Sequence, residues 1–95
     1  MKARTIQIPV DHPAFPGHFP GNPLLPGVLI LDLVVDTYES PVNGISIAKF
    51  LQPVSPGDTL DISIDEPSNG TARFKVTRST ELICEGQLRT EACDA

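Results

Sequence analysis

Residues Gly17–Asp36, GHFPGNPLLPGVLILDLVVD, decide how this chain must be built. From Gly27 through Tyr38 the stretch runs twelve residues, nearly all apolar, which on length favours a helix over a strand. Pro26 suits a helix start, because its φ is already set and its missing N–H had no partner to lose. The β-branched valines and isoleucine pull towards a strand, but the length outweighs them. Val28, Leu29, Ile30, Leu31, Leu33, Val34 and Val35 point in every direction around such a helix, so burial on nearly all sides is expected. At roughly 1.5–3 kcal/mol for each fully buried aliphatic side chain, it is the main hydrophobic anchor of the fold.

Asp32 stands in the middle of that run. A buried carboxylate is usually paired, hydrogen-bonded or neutral, because an unpartnered charge in apolar surroundings is strongly disfavoured. Asp36 lies one turn further on the same face, a like charge that favours protonation. A plainer alternative is that Asp32 lies on a polar seam and caps a neighbouring loop.

Fourteen positions before Asp32 comes His18. A single loop histidine is most often a surface residue, but this one sits in Phe15–Pro23, with three prolines and two glycines in nine residues. Such a loop has few accessible conformations, and rigid loops hold groups in reactive geometry. Histidine also has the unperturbed pKa best suited to proton transfer near neutrality. Gly27 would lie in the first helical turn, where N–H groups lack intrahelical partners and the dipole is positive. A glycine there lets a ligand oxygen approach closely. A base, an acid and an oxyanion donor in one loop–helix unit are the set needed for chemistry next to a carbonyl.

The stretch HFPGNPLLPGVLILD resembles the signature of the β-hydroxyacyl-acyl-carrier-protein dehydratases, members of the hotdog fold. A second block, Ala48–Asp58 (AKFLQPVSPGD), resembles that family's Phe, Pro-Val and Pro-Gly-Asp segment. The resemblance implies an α+β hotdog fold, an antiparallel sheet wrapped around one central hydrophobic helix, dimeric, with residues 1–95 as a single domain. It implies that His18 abstracts the proton α to a thioester and that Asp32 assists loss of the β-hydroxyl. It implies as well that the N–H of Gly27 binds the thioester oxygen, with Phe19, Pro26 and Val28 as further substrate contacts. No cofactor is expected beyond the phosphopantetheine that carries the substrate on acyl carrier protein. In the family the histidine of one subunit faces the acid on the other subunit's helix, so a homodimer or higher oligomer is implied. Asp36 stands where many members carry glutamine. That difference, with a front shorter than most members', keeps open a catalytically silent hotdog subunit that binds acyl chains or an active homologue. A hotdog thioesterase also uses a helix carboxylate, but the His-Phe-Pro loop counts against it.

Outward from this centre, ninety-five residues with 40% hydrophobic content fit one domain that is marginal alone and gains from oligomerisation. A net charge of −5 argues against nucleic acid as a partner. An acidic carrier protein would dock only through a local basic patch, for which Lys49, Arg73, Lys75 and Arg78 are candidates; singly, each reads as an ordinary solvated charge. Cys84 and Cys93 make no disulfide framework, and no metal-ligand spacing occurs. The N-terminus lacks the apolar core of a signal peptide and no run approaches membrane-spanning length, so a cytoplasmic protein with no membrane partner is expected.

Before the loop, Arg4 to Val10 reads as a strand with Ile6 and Ile8 on one face, broken at Asp11-His12-Pro13, with His12 exposed. Pro41 ends the helix, Asn43-Gly44 is expected to turn the chain, and Ile45 to Phe50 forms a second strand. Pro53–Asp58 is a tight turn. Leu60, Ile62 and Ile64, then Ala72, Phe74 and Val76, alternate with polar residues across a Ser68-Asn69-Gly70 hairpin. Leu82–Thr90 closes the sheet, Gly86 marks a bulge or a close approach, and Glu91–Ala95 frays.

Overall fold

The computed structural model of the chain describes residues 2–10, 27–66 and 68–90. Its elements are β1 (Lys2–Gln7), α1 (Gly27–Tyr38), β2 (Val42–Phe50), β3 (Thr59–Ile64), β4 (Thr71–Arg78) and β5 (Glu81–Thr90). The strands form one antiparallel sheet in the order β1-β3-β4-β5-β2, with α1 laid on one face. No helix among the described residues is long and apolar enough to cross a membrane.

Alternation sets the central strands. Leu60, Ile62 and Ile64 on β3, Ala72, Phe74 and Val76 on β4, and Cys84 and Leu88 on β5 all turn inward and are buried. Two of the turns explain the register. Asn69 and Gly70 both take positive φ, 54° and 77°, the two-residue geometry whose twist matches flanking strands, and Ser68 pairs with Thr71 across them. Ser79 takes φ 57° between Arg78 and Glu81.

Three expectations need correcting here. β1 runs from Lys2 to Gln7 rather than Arg4 to Val10, because Ile8 leaves the β3 ladder and bonds instead to the turn before β3: its N–H donates to the Asp58 carbonyl at 2.8 Å. Asn43-Gly44 is no turn; Gly44 lies inside β2, where the register with β5 slips between Val42 and Gly44. The chain reverses earlier, at Glu39, whose φ of 62° ends the helix in the left-handed region. Finally, α1 is not buried all round. Ile30, Val34, Thr37 and Tyr38 form its buried stripe, Leu29, Leu31, Leu33 and Val35 are partly covered, and Val28, Asp32 and Asp36 are exposed. One five-stranded sheet covers only one side of a helix that is apolar on most sides.

Candidate active site

The spacing of Val28, Asp32 and Asp36, four residues each, puts the three on a single line along α1. Val28 and Asp32 face away from the chain's own sheet, while Asp36 borders β1 and lines a groove with Lys2, Ala3 and Arg4. Gly27 opens the same helix, so a free first-turn N–H lies about 7.5 Å along the axis from Asp32, at 1.5 Å per residue. Asp32 was expected to be buried, and in the single chain it is exposed. No hydrogen bond or ion pair joins it to any described residue. The reason is geometric: the sheet holds the opposite stripe through Ile30 and Val34, each at most 2% exposed.

A residue that sequence reasoning did not assign to the site stands beside Gly27. Phe50, the last residue of β2, lays its ring against the helix start, and a Cβ at Gly27 would lie 3.0 Å from the ring's Cζ. A side chain at that position would press on the ring, which would have to give by a few tenths of an ångström. The signal was the phenylalanine of the Ala48–Asp58 block. The ring is still 48% exposed, since β2 is a sheet edge.

His18, Phe19 and Pro26 lie outside the described residues, as do His12, Cys93 and the 91–95 tail. The described chain therefore assembles Gly27, Val28 and Asp32, with Asp36 and Phe50 as neighbours.

The four candidate cations separate. Lys49 and Lys75 flank Glu85 in one cross-strand row, and Arg73 lies two residues along β4 on the same outer face. These three line a groove of about 390 Å³. Arg78 does not belong with them. Its guanidinium donates to Asp58 at 2.7 Å, to the Pro53 carbonyl at 3.0 Å and to Glu81 at 2.5 Å. The Glu81 and Asp58 carboxylates hold its pKa above the usual arginine value.

The chain is similar to known proteins over most of its length. Residues 2–87 match the family model of the ApeI-like proteins, described as ApeI dehydratase. The 3-hydroxyacyl-[acyl-carrier-protein] dehydratase FabZ of Ehrlichia canis (strain Jake) is 34% identical over 98 residues, covering 82% of this chain and 66% of that protein. The FabZ of Haemophilus influenzae is 36% identical over 99 residues, covering 85% of this chain and 67% of its own length. The chain thus spans about two thirds of the length of these relatives. Among solved structures, the dehydratase heterocomplex ApeI:P from Xenorhabdus doucetiae contains a chain that superposes with a TM-score of 0.75 at 28% identity, covering 93% of this chain and 86% of that one.

Proposed function

The chain belongs to the ApeI-like dehydratase family, and from that premise we propose that it dehydrates 3-hydroxyacyl thioesters on acyl carrier protein to trans-2-enoyl thioesters, a step of fatty-acid-type biosynthesis. The observation that carries the proposal is the exposed side of α1, where Val28 and the Asp32 carboxyl follow one another just beyond the helix start that offers the Gly27 N–H.

In this reading His18 takes the proton from C2 of the acyl chain. Charge then builds on the thioester oxygen, which the Gly27 N–H stabilises. The C3–O bond breaks while Asp32 gives its proton to the departing hydroxyl, and the electron pair left on C2 closes the double bond. One proton is taken and one given, water leaves, and no redox or metal cofactor enters the balance. Phe19, Pro26 and Val28 border the substrate.

The base reaches the acid from a second subunit. The β2 edge and the α1 line support this, because they leave apolar surface uncovered: Val28 is 64% exposed, Ile47 46% and Leu51 48%. An unpaired edge with apolar side chains is a site that proteins normally cover. A two-fold homodimer would cover it and take Asp32 out of water, and larger assemblies of such dimers would leave the sites intact. The carrier's acidic surface meets the Lys49–Arg73–Lys75 patch, and the reaction takes place in the cytoplasm. A second reading rests on the ApeI:P heterocomplex among the structural neighbours: the covering subunit is a homologue that supplies part of the site.

Mass spectrometry of a 3-hydroxyacyl carrier tests the proposal. His18→Ala and Asp32→Asn should each lower turnover by at least about 100-fold, the range lost with a general acid or base, while light scattering still reports the wild-type assembly. Full activity in Asp32→Asn would remove the acid role. Inactivity of the purified chain, restored by a homologue, would favour the second reading.

A further inference from the structure

We infer that Glu85 is a specificity-determining residue of a docking groove on the outer face of the sheet, where it weakens the hold of three cations on the carboxylates of the carrier. The inference rests on the dehydratase reading only for the identity of that partner. Its geometry comes from the register. Arg73 on β4, Gln87 on β5 and Ile47 on β2 stand side by side in one row, and Lys75, Glu85 and Lys49 in the row two residues away. Between the rows Phe74 turns its ring into the core and Gly86 carries no side chain. Main chain therefore floors the groove of about 390 Å³ that these residues line.

Charge selects the occupant. The chain carries −5 overall, yet three cations face one carboxylate in this groove. Lys49, Arg73 and Lys75 are exposed, and none of them forms an ion pair or a side-chain hydrogen bond with a described residue. Unpaired positive charge gathered on one face of an acidic chain fits an acidic partner. Arg73 and Lys75 lie about 7 Å apart along β4, close to the spacing of two carboxylates one turn apart on a helix. Lys49 is two strands across, about 10 Å from Lys75, and can take a third. Cations spread this far match a row of carboxylates better than a single phosphate.

Glu85 stands on β5 between the two lysines, half-buried while they reach into solvent. A carboxylate docked over either lysine therefore meets a like charge beside it. In water, two unit charges about 4 Å apart change an equilibrium roughly fivefold, which sets the scale of the effect. A lysine–glutamate–lysine row can also serve only as a cross-strand charge ladder that steadies the sheet. In that case removing the Glu85 charge lowers stability and leaves docking as it was. Binding measurements separate the two roles.

The test follows fluorescently labelled acyl carrier protein, without an acyl chain, by anisotropy. Glu85→Gln should bind it about three- to fivefold more tightly than the wild type at low salt, and the gain should shrink in about 0.5 M salt, where screening is strong. Lys49→Gln and Lys75→Gln should each bind about threefold more weakly. Glu39→Gln makes the same change of net charge beyond the end of α1, away from the groove, and should bind as the wild type does. Unchanged or weaker binding in Glu85→Gln overturns the inference, as do an equal gain in Glu39→Gln, no loss in either lysine variant, or no binding by any of the chains. 4′-Phosphopantetheine alone is the last arm. If its affinity responds to Glu85→Gln as the carrier's does, the groove holds a phosphate rather than carboxylates, and the inference falls. KM for a 3-hydroxyacyl carrier should drop with the dissociation constant in Glu85→Gln. If the wild-type chain binds the carrier and dehydrates nothing, the functional reading fails by itself, and the binding series still decides the role of Glu85. Should Glu85→Gln not fold, Glu85→Thr, which suits a strand and removes the same charge, is judged by the same outcomes.

Discussion

Cys84 faces the core from β5 with no exposed surface, and burial, helped by the neighbouring Glu85 charge, pushes its thiol up to about 11. The thiolate is the reactive form, so a Cys93→Ser chain should resist a disulfide reagent at pH 8 when folded and react at once in denaturant. Rapid labelling of the folded chain would contradict the burial. The linkage has a definite sign. The folded chain binds this proton more tightly than the unfolded chain, so the contribution to stability is full below about 9 and is lost as pH rises through about 11. Denaturant midpoints between pH 8 and 11 should therefore fall. The burial of Cys84 was not singled out by the sequence, because Ile83 beside it is equally buried and the register with β4 slips between Cys84 and Leu82, so no two-residue period runs through this end of β5. Asp32 was readable only in part. Its place on the helix follows from spacing, but its exposure depends on which surfaces reach α1, and periodicity says that a face is apolar without saying what covers it.

Among the elements, β5 depends on Gly86. A Cβ there would run into the Ile47 carbonyl of β2 and stand 2.8 Å from the Phe74 ring of β4. The register is continuous at Gly86 on both sides, so of the two readings, bulge or close approach, the close approach holds; the slip lies beside it on β2, between Ile45 and Ile47. Gly86→Ala should cost about 1–3 kcal/mol, the usual scale of overpacking, measured as a drop in the urea midpoint at constant slope. Hydrogen exchange should show β2 amides opening more readily than in the wild type, since the added methyl presses on the Ile47 carbonyl of that strand. Unchanged stability would mean that the strands move apart at no cost. The hairpins β3–β4 and β4–β5 were legible because Asn-Gly and alternating apolar residues are local signals. The grip of Arg78 on Pro53 and Asp58 was not: residues 20 or more apart in the chain meet there through sheet order, and the sequence offered only a lone arginine at a strand end.

At the scale of the whole molecule, Val28 and Asp32 of α1 and the β2 edge are exposed together among the described residues, and in the proposed reading a second chain lying over both completes the site. Two mixing and disruption experiments separate that arrangement from one in which His18 and Asp32 of the same chain act together. First, Ile47→Lys with Phe50→Lys places charges on the β2 edge, where they oppose their counterparts across a two-fold axis. This pair should give a monomer by light scattering, folded by circular dichroism and inactive. An active monomer would show that one chain suffices. Second, His18→Ala and Asp32→Asn chains, each inactive alone, are unfolded together and refolded as a mixture. If the histidine of one chain serves the acid of the other, each mixed dimer holds one site with both defects and one site with neither. Random pairing makes half the dimers mixed, so activity should return to about a quarter of the wild-type value, as two-fold symmetry requires. If base and acid come from one chain, every site in the mixture carries a defect and activity stays at the level of the single variants, which would place the chemistry within the subunit and leave the exposed α1 line without its proposed partner.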